Sequence, residues 1–140
     1  MTDPKQQTDR AQPESFRARE LAASLTVRDL EKSLAFYTDV LGFTIDRKHE
    51  REGNLMAVSL KAGVVRLLIN KDNGAKGLDR VKGEGFSLQL TTAQNIDELA
   101  ARIKARGGTL ASEPADVFGA RVFRLVDPDG FRLVISSERT

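Results

Sequence analysis

The sequence predicts an α+β fold made of two tandem β-α-β-β-β halves, and three observations predict it. A chain of 140 residues with 40% hydrophobic and 30% charged side chains suits one globular domain, neither fibrous nor disordered. The order strand, helix, three strands is readable twice. A shift of 65 positions then lays Leu25 on Leu90, Thr26 on Thr91, Gly42 on Gly107, Thr44 on Thr109 and Ile45 on Leu110. One helix over a few strands leaves a sheet face uncovered, so two copies are expected to pair.

Residues 1–19 are polar, contain Pro4 and Pro13, and show no period, so they are expected to form a flexible tail, with Phe16 as their one apolar anchor. A single domain is expected over residues 20–140. Its first module covers about 21–70, a linker 71–85, and the second module about 86–138. In module one, LAASLTV has strand length. Asp29 caps a helix on which Leu30, Leu34, Tyr37 and Leu41 recur, and Gly42 ends it. FTIDRKHE alternates as a half-exposed strand, the Gly53-Asn54 turn precedes LMAVSLKAG, and VVRLLIN follows Gly63. The linker KDNGAKGLDRVKGEG is polar and rich in glycine. Module two opens with FSLQLTT. A helix capped by Asn95 follows, with Ile96, Leu99 and Ile103 on one face and Gly107-Gly108 at its end. In TLASEPAD, Pro114 demands an edge or a terminus. GARVFRLV and FRLVISS flank DPDG, whose proline and glycine suit a tight turn.

Composition removes several chemistries. With no cysteine there are no disulfides, thiolate nucleophiles or iron–sulfur clusters, and with His49 as the single histidine no constellation of imidazoles. His49 lies in the charged stretch RKHERE, where a solvated edge histidine is expected. The 22 cations are interspersed with 20 anions, and with no Trp and one Tyr there is neither a basic face nor an aromatic platform for nucleic acid. No apolar run approaches the length that spans a bilayer, and the first residues lack a secretory apolar region, so no membrane association and a cytoplasmic address are expected. DNGAKG is no phosphate loop, because no GxxxxGK[ST] pattern precedes a helix.

Two segments, SLTVRDLEKSLAFYTDVLGFTI and FGARVFRLVDPDGFRLVISS, resemble the glyoxalase/bleomycin-resistance/extradiol-dioxygenase (vicinal oxygen chelate) superfamily over about residues 21–138. The resemblance implies two βαβββ modules whose curved mixed sheets surround a cavity, with the helices outside. It also implies four inward positions that bind a divalent ion in metal-dependent members, usually through His, Glu or Gln. Carried over, these fall on Ala22, Ser87, Val134 and Arg66 or, one register off, Leu67. Ala and Val offer no lone pair, Arg repels a cation and Ser is a poor ligand, so no metal and no cofactor are expected.

Strand alternation then gives the expected cavity lining. On VVRLLIN, Val65, Leu67 and Ile69 pack under the helix, leaving Val64, Arg66 and Leu68 inward. On FRLVISS, Phe131, Leu133 and Ile135 are buried, and Arg132, Val134 and Ser136 point inward. Ser24, Thr26, Ser87, Gln89 and Thr91 complete the set; Arg121 and Phe123, beside the DPDG turn, are candidate ligand contacts, with core or surface packing the competing reading for both. The competing reading of Arg66 and Arg132 places them at strand ends with their heads in water. Asp127 and Asp129 are expected to be turn formers.

This lining suits a metal-free protein that sequesters a small molecule, with an anionic or carbonyl-bearing ligand favoured by the arginines. The alternative is a glyoxalase- or dioxygenase-like enzyme with a displaced or non-standard metal site; a third reading is an interaction domain whose cavity its own side chains fill. The resemblance further implies a homodimer, which would cover edge strands such as FTIDRKHE or TLASEPAD.

Overall fold

A computed structural model describes residues 16–138, so most of the expected tail lies outside the described residues; Phe16 itself is 94% exposed. The elements are β1 (Ala23–Val27), α1 (Leu30–Ala35) continuing into a π-helical segment (Phe36–Val40), β2 (Thr44–Arg51), β3 (Asn54–Ala62), β4 (Val65–Lys71), β5 (Ser87–Thr92), α2 (Ile96–Ala105), β6 (Leu110–Val117), β7 (Ala120–Val126) and β8 (Arg132–Ser137). They form two four-stranded mixed sheets, ordered β1-β4-β3-β2 and β5-β8-β7-β6. In each, the opening strand runs parallel to the closing one and the others pair antiparallel. The fold is α+β with two βαβββ modules, as the element order predicts.

Local chemistry sets the helix starts. The Asp29 carboxylate accepts from Lys32 N at 3.0 Å, and the Asn95 amide oxygen accepts from Glu98 N at 3.0 Å, satisfying amides that the first turn leaves unpaired. Leu41 N then donates to Phe36 O at 3.0 Å, a five-residue closure that widens the end of the first helix. In the same stretch Thr38 Oγ1 donates to Leu34 O at 2.8 Å, a bond type that bends helices. Pro114 sits on β6, an edge strand, within the register shift between Ser112 and Ala115, where its missing N–H breaks no ladder. The helix-side residues of both sheets, among them Val58, Leu67, Ile69, Leu125, Leu133 and Ile135, merge into one apolar cluster. That cluster joins the two modules and leaves the opposite face of each sheet open.

Polar contacts lock the modules together at one end. Tyr37 is buried, its ring edge-on to Phe36 and Phe43, and its hydroxyl donates to Asp127 Oδ2 at 2.7 Å. Asp127 Oδ1 accepts from the amides of Asp129 and Phe131, so this carboxylate builds the β7–β8 turn and holds it against module one. Asp129 Oδ2 accepts from Arg28 N at 3.0 Å and lies 3.3 Å from Lys82 Nζ. Asp127 and Asp129 are turn formers and, beyond that expectation, the fastening between modules. Lys82, with 5% of its side chain exposed, also reaches Asp72 at 2.8 Å and Thr26 O at 2.8 Å, pinning the segment after β4 to both modules.

Candidate functional site

The register of the closing strands decides which side chains share the open sheet faces. Leu67 and Ile69 are buried under α1, as Leu133 and Ile135 are under α2, so Arg66, Leu68, Arg132 and Val134 face the other way. Ser24 pairs with Leu68, and Gln89 pairs with Val134. Ser24 and Thr26 on β1, and Ser87, Gln89 and Thr91 on β5, alternate with the core-facing residues of those strands. Val64, expected inward, instead stands in the β3–β4 hairpin, 98% exposed.

Four of the expected lining residues come together. Ser24, Arg66, Ser87 and Gln89 line a groove of about 530 Å³ between the β1/β4 and β5/β8 sides, with Phe43, Phe86, Leu88 and Leu90 as apolar wall. Arg132 lines a smaller groove of about 380 Å³ with Arg124 on the open face of module two, and Ser87 borders both. Thr91 turns to a third groove at the far end of β5. Leu68 and Thr26 line none of these, and the Thr26 carbonyl is held by Lys82.

Two expected contacts lie elsewhere. Phe123 is 0% exposed, paired with Ile135 in the core. Arg121 shares its parity and points to the helix side, where its Nε and Nη2 grip both oxygens of Asp97 at 3.1 and 3.0 Å and its Nη1 reaches Asp116 at 3.3 Å. The guanidinium holds the Asp97 carboxyl below the usual carboxylate range. The alternation that buries Leu125 already places Phe123 and Arg121 on the helix face, and this is the signal that corrects them.

Arg66 has its counter-charges within the chain. Its Nη1 donates to Asp46 Oδ2 at 3.2 Å and its Nε lies 3.3 Å from Glu20 Oε1, with about half of its side chain exposed. Asp46 sits at a register shift in β2, which local sequence does not signal. The polar groups left for a ligand in the groove of about 530 Å³ are neutral: the Ser87 hydroxyl, the Gln89 amide, and the proton of the Ser24 hydroxyl, whose oxygen accepts from Asn70 Nδ2 at 2.7 Å.

The donor set does not fit a divalent ion. Ala22, Val134 and Arg66 or Leu67 carry no usual ligand atom, and Ser87 offers only a hydroxyl. The pairing makes Leu68 the counterpart of Val134, and it is no better a ligand. Gln89 adds one amide oxygen. Among the described residues no three of His, Cys, Asp and Glu stand close enough to share an ion. His49 is exposed on the edge strand β2, its Nε2 3.5 Å from Ser59 Oγ.

Burial perturbs the fastening between modules more than the grooves. Desolvation first, and the Asp127 charge second, push the Tyr37 hydroxyl up, while burial outweighs three hydrogen bonds and raises the Asp127 carboxyl. Both groups are engaged with each other, and neither faces a groove with a free position.

The profile of the Glyoxalase/Bleomycin resistance protein/Dioxygenase superfamily matches residues 20–135. A probable lactoylglutathione lyase of Vibrio cholerae is 29% identical over 124 residues, covering 82% of this chain and 87% of that protein. The catechol-2,3-dioxygenase of Bacillus subtilis is 29% identical over 120 residues, 84% of this chain but only 40% of the dioxygenase. Among solved structures, the antibiotic binding protein TnmS3 from Streptomyces superposes with a TM-score of 0.69 at 20% identity, over 88% of this chain and 98% of that one. This last is a likeness of fold. No helix among the described residues is long and apolar enough to cross a membrane.

Proposed function

Because the chain belongs to the glyoxalase/bleomycin-resistance/dioxygenase superfamily, whose members here include both enzymes and an antibiotic binding protein, we propose that it is a metal-free binder of a small carbonyl-bearing molecule. The observation that carries this reading is the groove of about 530 Å³ whose available polar groups, Ser87 and Gln89, are neutral hydrogen-bonding side chains set in an apolar wall. Such a mixture of mostly apolar lining with a few convergent polar groups is what small-molecule sites use. Of the two ligand classes the arginines suggest, the carbonyl-bearing one fits better. An anion has to displace Asp46 or Glu20 from Arg66, whereas a carbonyl takes the Gln89 amide and the Ser87 hydroxyl directly. The same reading includes a homodimer, in which a second copy covers the open sheet faces.

Calorimetric titration of EDTA-treated protein with a panel of aromatic ketones and quinones tests it, alongside matched carboxylates and amines. At least one uncharged carbonyl compound is expected to bind saturably and to lose about tenfold in affinity in Gln89→Leu, a neutral hydrogen bond's worth. Binding that appears only with added Zn²⁺, Ni²⁺ or Fe²⁺, or metal-dependent lyase or dioxygenase turnover, overturns the reading in favour of a displaced metal site. A panel in which only amines or only carboxylates bind overturns the ligand class.

A further inference from the structure

The two modules are alike in their elements but not in how each closing hairpin meets the other module's helix. Val58 and Leu60 on β3 correspond to Phe123 and Leu125 on β7, which puts Ala62 at the place of Asp127. The helix caps Asp29 and Asn95 correspond likewise, which puts the buried Ile103 at the place of the buried Tyr37. On one side, therefore, a phenol and a carboxylate meet at 2.7 Å and fasten hairpin to helix. On the other, Ala62 and Ile103 have no polar side-chain atom to join, and a groove of about 990 Å³ separates the β3–β4 hairpin from α2.

The groove's chemistry is specific. Leu99, Ile103, Phe43 and Ile135 give it an apolar floor, and Arg102 on α2 and Arg106 at its C-cap, four residues apart, stand at its wall. Both arginines are exposed and, among the described residues, neither guanidinium has a hydrogen bond or ion pair. This sets them apart from Arg66 and Arg121, which are held by acids. The Arg106 guanidinium lies over Gly42, its Nη1 3.6 Å from where a Cβ would stand. Asp39, whose Oδ1 faces Thr38 Oγ1 at 3.4 Å, is the one acid among the lining residues. Two guanidiniums against one carboxylate leave an excess of one positive charge.

We infer that this groove is a second ligand site, distinct from the groove of the proposed function, and that it takes a small amphipathic monocarboxylate. The apolar body of the ligand lies on the Ile103 floor. Its carboxylate accepts N–H bonds from Arg102 and Arg106, with the hydroxyls of Thr91 and Thr92 at the rim. The single excess charge favours a monoanion over a dianion, and the apolar floor favours a body larger than acetate. Bound there, the ligand bridges the modules on the side that lacks the Tyr37–Asp127 bond.

Titration of the full chain with phenylacetate, followed by calorimetry and by amide NMR shifts, tests this. Saturable binding is expected, with shifts centred on Thr92, Arg102 and Arg106. Phenylacetamide and acetate are expected to bind at least about tenfold more weakly, and the Arg102→Gln/Arg106→Gln double variant to lose at least about tenfold, while Arg66→Met binds as the native chain does. Equal binding of acid and amide, undiminished affinity in the double variant, no saturation, or shifts centred on Ser87 and Gln89 each overturn the inference. A peptide ending in phenylalanine that binds more tightly than phenylacetate also overturns it, reassigning the groove to protein tails. Gln89→Leu, which impairs the proposed carbonyl site, leaves phenylacetate binding intact, so the two readings fail separately.

Discussion

Asp72 shows how a single carboxylate ties the segment between modules to the fold. It takes Lys82 Nζ at 2.8 Å, Arg80 Nη2 at 3.2 Å and the Gly74 amide at 2.9 Å. The Lys82 bond first, and the Gly74 amide next, hold its carboxyl far below the ordinary 3.8. A lowered folded-state value means stability that is present above 3.8 and is lost as the pH falls through the folded value. Asp127 runs the other way: its raised value contributes stability at low pH that is lost as the pH climbs through it. Urea unfolding of the native chain and of Asp72→Asn therefore gives curves whose separation is full near neutrality and narrows as the pH falls below 3.8; a separation independent of pH contradicts this account. None of this was legible in the sequence. Asp72 and Lys82 sit in a glycine-rich polar stretch that looks like plain linker, and the further partners of Lys82, Thr26 and Asp129, are distant in the chain. Arg66 was half legible: its direction follows from alternation, but its pairing with Asp46 depends on a register shift that alternation does not predict.

Between elements, the modules also meet closely at Gly108, in the turn after α2. A Cβ there would stand 2.6 Å from Ile103 Cγ2 and 2.8 Å from Val40 Cγ1, the latter in the other module's π-helical segment. Gly108→Ala is expected to cost about 1–3 kcal/mol by overpacking. Its neighbour Gly107 has φ +93° and open space around it, so Gly107→Ala is expected to cost about 1–2 kcal/mol by backbone strain alone. Chemical denaturation distinguishes the two, because Gly107→Asn recovers part of the loss and Gly108→Asn does not. The order of elements along the chain, the helix caps and both glycine stops were readable because each rests on local pattern. The π-helical segment was readable only in hindsight. Asp29 to Gly42 is one residue longer than Asn95 to Gly107, and the widened turn takes up that residue. For Arg121 and Phe123 the DPDG turn beside them suggested ligand contact and left packing open, and the strand period that governs them says helix face.

For the molecule as a whole, the open sheet faces and the edge strands pose the question of pairing. Strand β2 is exposed along its entire length and carries charges at Asp46, Arg47, Lys48, Glu50 and Arg51, which protect it from adding further strands. Phe118, at a hairpin tip with φ +45°, and Val81 are exposed apolar groups. The proposed homodimer gives a sedimenting species of twice the chain mass at tens of micromolar, and a monomer independent of concentration removes it. The Tyr37–Asp127 bond has a consequence for spectroscopy. Tyr37 is the chain's single tyrosine and there is no tryptophan, so all of its ultraviolet emission beyond phenylalanine's comes from that one ring. A phenol bonded to a carboxylate is quenched, and one released to water glows more brightly. The protein thus carries, without any dye or label, an optical gauge set at the seam between its halves, dark while they are joined and bright when they part.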